Sequence, residues 1–101
     1  MDATRIVVAA ALVFALIDCA AAAGPADAPP GALSCSGCHA ATRAADTTVP
    51  RLNGRNPADI VTAMEAFKSG QLPSTVMGRI AKGFDDQQID AIAAWFAAQP
   101  D

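Results

Sequence analysis

The chain opens on an unbroken apolar run, IVVAAALVFALI over residues 6–17, with Arg5 before it and an alanine tract, Ala20 to Ala23, behind it. A basic start, an apolar middle of roughly 7–15 residues and small residues at the end are the layout of a secretory leader. The run falls short of the about 20 apolar residues needed to span a bilayer. Residues 1–23 are therefore expected to be a cleaved signal peptide, which removes Cys19 and leaves no stable membrane insertion. The competing reading is an uncleaved anchor, because Asp2 nearly offsets Arg5 and Asp18 sits close to the cleavage region.

Residues 24–31, GPADAPPG, predict a proline-rich tether, since proline removes a donor and restricts its predecessor. The folded unit is expected over residues 32–101. It begins with a short helical turn that carries ALSCSGCHA. Residues 40–55 show neither helix nor strand periodicity and read as an irregular loop. A helix follows. Asn56 suits the N-cap, Pro57 the first helical position and Asp59 the positive first turn. Ile60, Met64 and Phe67 recur at i, i+4, i+7, and Gly70 stops the helix. Residues 71–77, QLPSTVM, predict a second loop, with a weak helical segment over 78–84. The last helix is capped by Asp85, with Gln88 three residues on. Ile89, Ile92, Ala93 and Phe96 share one face, and Pro100 closes it.

No segment alternates with period two, so no strand is expected. The pattern predicts an all-α domain of three to four short helices with two long irregular loops. Such loops are unusual in so small a domain unless they wrap something other than protein.

Charge narrows the partners. The chain of 101 residues has a net charge of −3, and residues 24–101 remain mildly acidic. Without a basic stripe there is no case for a nucleic-acid partner. A domain of this length has a marginal core and often depends on a cofactor, metal or disulfide.

The chemistry concentrates in CSGCH, residues 35–39. A thioredoxin-like CxxC needs a βαβ setting, which the pattern lacks. Structural zinc needs four ligands, and His39 is the one histidine of the chain. A Cys35–Cys38 disulfide would close a very small loop and constrain little. Covalent haem uses all three residues. Each thiol adds across a haem vinyl group, two intervening residues set the cysteines about one helical turn apart, and the adjacent histidine supplies the proximal nitrogen. Export agrees with this, because c-type haem is attached outside the cytoplasm.

A second axial ligand must then come from Met64, Met77, a lysine or water. Met64 sits at core spacing on the apolar helix face and reads as packing. Met77 lies at the end of a proline-containing loop with Gly78 beside it, and is the expected distal ligand. Met/His ligation raises the reduction potential and suits reversible one-electron transfer.

CSGCH, VPRLNG, AMEAFKSG, STVM and DDQQIDAIAAWFAAQ together resemble a class I cytochrome c, from about Leu33 to Gln99. The resemblance implies a small class I cytochrome c fold around one covalent haem per chain. It also implies that the carbonyl of Pro50 accepts a hydrogen bond from His39. Arg51, Asn53 and Arg55 could meet the haem propionates or simply be solvated, and Trp95 could touch haem or only pack. The stretch PSTVMGRIAKGFDDQQI is more particularly similar to the haem-bearing subunits of flavocytochrome c sulfide dehydrogenases, above all the single-haem form. That likeness implies a periplasmic electron-transfer subunit beside a flavoprotein, with the sulfur chemistry done by the partner. Two alternatives stay open at this point. One is a free carrier serving several redox proteins; the other is a haem enzyme or ligand sensor with an open sixth site.

Overall fold

In a computed structural model of the chain, residues 27–41 and 47–100 are described. The expected leader, residues 1–23, lies outside them, as does the middle of the first long loop. Among the described residues there is no strand, and no helix is long and apolar enough to cross a membrane. The architecture is all-α, as expected of a small class I cytochrome c fold. Four helices follow in order: α1 (Ala32–Cys35), α2 (Pro57–Ser69), α3 (Met77–Ala81) and α4 (Asp86–Ala97).

Local chemistry explains both long helices. The Asn56 side chain accepts from the Ala58 amide at 2.9 Å, and Pro57 stands where its missing N–H costs nothing. Gly70 ends α2 in the left-handed region at φ 80°, with its amide on the Phe67 carbonyl. The capping box of α4 is complete: Asp85 accepts from the Gln88 amide at 2.8 Å, and the Gln88 side chain accepts from the Asp85 amide at 2.9 Å.

The start of α3 differs from expectation. Met77 is its first residue and not the last of a loop. Ser74 Oγ accepts from the Gly78 amide at 2.8 Å, and the Val76 carbonyl accepts from Arg79 and Ile80, so the helical turn begins one residue early.

Helix α2 packs against both α3 and α4, and α1 rests on α4. The core gathers Ile60 and Met64 from α2 with Ile89, Ile92 and Phe96 from α4. Three fully buried alanines, Ala32, Ala81 and Ala93, come from three different helices and let their backbones approach closely. Phe96 and Ile89 are the largest fully buried side chains among the described residues, a thin core for an independent domain. Lys68 adds a tether: its Nζ donates to the Phe84 carbonyl at 2.6 Å and lies 3.9 Å from Asp86, joining the end of α2 to the link between α3 and α4.

The packed part reaches back before Ala32. Ala28 lies against the core, so the expected tether is partly seated. Gly31 caps α1 at φ 88°, and a Cβ built there would stand 2.6 Å from the Phe84 ring. Gly70 has the same handedness but open space around it. Gly31→Ala is therefore expected to cost roughly 2–4 kcal/mol, from left-handed strain plus overpacking. Gly70→Ala should cost about 1 kcal/mol, from strain alone. Denaturant midpoints of the two variants at matched slope check the difference.

Candidate functional site

The motif is built on the end of α1. Cys35 is the last residue of that helix, and the chain continues to turn beyond it. Ser36 donates to the Leu33 carbonyl and Gly37 to that of Ser34, each at 3.2 Å. The Cys35 carbonyl then accepts from Cys38 at 3.2 Å and from His39 at 2.8 Å. These bonds hold Cys35 and Cys38 three apart on one continuing turn, a spacing at which side chains share a face. Neither cysteine is in a disulfide.

The two thiols differ. Cys38 is exposed, whereas Cys35 is half-buried and its Sγ donates to the Gly31 carbonyl at 3.5 Å. Burial pushes the Cys35 thiol up, against a smaller opposing backbone hydrogen bond. Reactive dithiols are marked instead by a depressed cysteine pKa.

His39 is the single buried polar side chain among the described residues, 9% exposed. Its Nδ1 lies 2.5 Å from the Pro50 carbonyl oxygen. A carbonyl only accepts, so Nδ1 is the donor of this bond, and in the neutral imidazole the lone pair then falls to Nε2. A histidine prepared as a ligand has this arrangement, with one nitrogen tied to a backbone acceptor and the other free to coordinate. The Pro50 ring itself is exposed; its contribution is the carbonyl.

Met77 comes from a separate element. It is half-buried at the start of α3 and packs against the core, while Met64 is buried within the core at 9% exposure. Trp95 is half-buried against the core and meets Phe96 edge to face, with ring centroids 4.8 Å apart. Its indole Nε1 is buried and has no hydrogen-bond partner among the described residues, a feature with no sequence signal. Asn53 is engaged within the fold, its side chain donating to the Pro100 carbonyl at 3.5 Å, and Arg55 is exposed. The Met77 turn is held by Ser74, four residues before Gly78, a hydroxyl-to-backbone motif that lies within a segment whose pattern predicts loop.

Among the described residues no three or more His, Cys, Asp or Glu side chains gather as they would around a metal ion alone. The donor set suits haem. It offers two unpaired thiols on one turn, an imidazole whose Nδ1 is engaged by a backbone carbonyl, and a half-buried thioether at the start of α3.

Comparison with known proteins points the same way. Over 64 residues the chain is 44% identical to the cytochrome subunit of sulfide dehydrogenase from Chlorobaculum tepidum. The match covers 63% of this chain and 58% of that protein, so the chain spans under two thirds of the relative's length. It upholds the resemblance drawn from the motifs. No family model matches the chain.

Proposed function

We propose that this chain is a periplasmic electron-transfer subunit. It carries one covalent haem c, with thioether bonds at Cys35 and Cys38 and with His39 and Met77 as axial ligands, and it accepts electrons from a flavoprotein that oxidises sulfide. The observation that carries this reading is the buried His39 imidazole, locked by Pro50 with Nε2 left to coordinate, directly after two free cysteines on one turn.

Bound there, haem supplies reversible one-electron exchange between ferric and ferrous iron. The rest falls to the chain. Pro50 fixes the ring plane of His39 and makes it a stronger donor. Cys35 and Cys38 hold the group permanently, so it cannot dissociate during turnover. Met77 offers a soft thioether, and its pairing with histidine favours a raised potential suited to electron acceptance. The likeness to a cytochrome subunit of sulfide dehydrogenase supports the partner assignment, and the apolar run at residues 6–17 supports export. Co-purification tests the subunit reading, since a cytochrome isolated from its native host with no flavin attached would favour a free carrier.

Two variants address the ligands. Cys35→Ser with Cys38→Ser is expected to leave no haem that survives acid–acetone extraction, read by the pyridine haemochrome spectrum. Met77→Ala should keep haem attached, lose the sulfur-to-iron charge-transfer band and lower the potential. Met64→Leu should retain both band and potential and cost less than about 1.5 kcal/mol of stability, as a volume-conserving core change does. The opposite pattern for the two methionines would exchange their roles. Ready binding of carbon monoxide by the reduced wild-type protein at neutral pH would instead mean an open sixth site.

A further inference from the structure

The chain has two asparagines, Asn53 and Asn56, and they stand in opposite chemical settings. The side-chain Cγ of an asparagine is open to attack by the main-chain nitrogen of the next residue. Asn56 is followed by Pro57, whose nitrogen has no hydrogen to give up and cannot take part. Asn53 is followed by Gly54, which puts no side chain in the way and has the widest backbone freedom.

The fold ties down both reacting groups. Asn53 and Gly54 are the middle of a turn closed by the Arg55 amide on the Leu52 carbonyl at 3.1 Å, with Gly54 at φ 71°. The Gly54 amide donates to the Phe96 carbonyl at 3.0 Å, in the last turn of α4, and Phe96 is fully buried. The Asn53 side chain donates to the Pro100 carbonyl at 3.5 Å. Gln99 firms this acceptor end. Its amide also donates to the Phe96 carbonyl, at 3.1 Å, and its side chain to the Trp95 carbonyl at 2.9 Å. The attacking nitrogen and the amide it would attack are thus each held by a carbonyl at the end of α4.

We propose that Asn53 is a deamidation site kept closed by the end of α4. In the reaction the Gly54 nitrogen gives its proton to a water-borne base and bonds to Asn53 Cγ. The bond from Cγ to Nδ2 breaks, and the side-chain nitrogen takes up a proton and leaves as ammonia. Water then opens the succinimide ring at either carbonyl, which gives aspartate or isoaspartate. The first step needs the Gly54 N–H released from Phe96, so local opening of this latch precedes the chemistry. The product does not close it again. A carboxylate has no hydrogen for the Pro100 carbonyl, and isoaspartate lengthens the main chain between Gly54 and Leu52, which is packed against the core. The change falls three residues from Pro50 and so loosens the segment whose carbonyl holds His39. The chemistry belongs to the chain alone and needs no haem.

The experiment incubates the holoprotein at mildly alkaline pH and follows peptides by mass for amide-to-acid conversion, with isoaspartyl methyltransferase labelling for isoaspartate. The same holoprotein in guanidinium gives the rate without the latch. Asn53 is expected to convert in guanidinium and at least about tenfold more slowly when folded, the factor that a local opening of about 1.4 kcal/mol imposes. Asn56 should convert in neither. Gln99→Ala, and separately deletion of residues 98–101, should speed the folded reaction several-fold, in step with faster hydrogen exchange at the Gly54 amide. Ile89→Val weakens the core at the opposite end of α4 and should leave the folded rate as in wild type.

Equal rates folded and in guanidinium overturn the proposal, as does a folded rate untouched by both changes at the end of α4. Acceleration by Ile89→Val as large as by Gln99→Ala overturns it too, because the reaction would then pass through global unfolding. Failure of Asn53 to convert in guanidinium, or conversion of Asn56 at a matching rate, rules out the Gly54 nitrogen as the attacking group.

Discussion

The hydrogen bond from His39 to the Pro50 carbonyl is the constraint on which the site depends. It joins residues eleven apart in the sequence and makes Nδ1 the donor. A net gain of about 0.5–1.5 kcal/mol is modest as stability. As a geometric device it is worth more, because a ring free to rotate about its bonds would present Nε2 in many directions. The irregular loop around Pro50 is what allows a backbone oxygen to face an imidazole. In a helix or strand that oxygen would already be paired.

Around this point the fold is economical. The long helices, α2 and α4, make the body of the core; α3 packs along α2, and α1 rests on α4. Gly31, ahead of α1, lies against the Phe84 ring, and Lys68 near the end of α2 holds the Phe84 carbonyl in the link after α3. Phe84 thus serves two tethers, its ring locating the cysteine-bearing turn and its carbonyl holding the end of α2. The short elements have no independent stability, since helices of four or five residues do not persist alone. Their position is inherited from the body.

Much of this was legible because it is local. The ends of α2 and α4 follow from Asn56, Pro57, Gly70, Asp85 and Gln88, whose chemistry acts within a few residues. Periodicity placed Ile60, Met64, Ile89, Ile92, Ala93 and Phe96 inside, where they are found. The start of α3 carries no such local signal, because Val76 offers no capping side chain and the effective hydroxyl, on Ser74, lies two residues further back. The Gly31–Phe84 contact, the Lys68 tether and the buried indole of Trp95 join residues far apart in sequence, and no pattern of period or cap encodes them. Pro50 was reached through family likeness, since nothing in its own neighbourhood says where its carbonyl points.

The early start of α3 bears on how little the molecule must rearrange when its charge state changes. A sulfur carried on a floppy segment could drift between oxidation states, and each drift would add nuclear motion to the barrier for electron exchange. Seated on the first position of a turn clamped by Ser74 and packed against α2, the Met77 side chain has a fixed root, and sites built on regular elements are held more tightly than those on loops. On the proposed ligation, the ferric and ferrous forms would then share nearly one geometry. The clamp would lower the reorganisation energy of the exchange, a property that then depends on one serine hydroxyl bonded to the backbone.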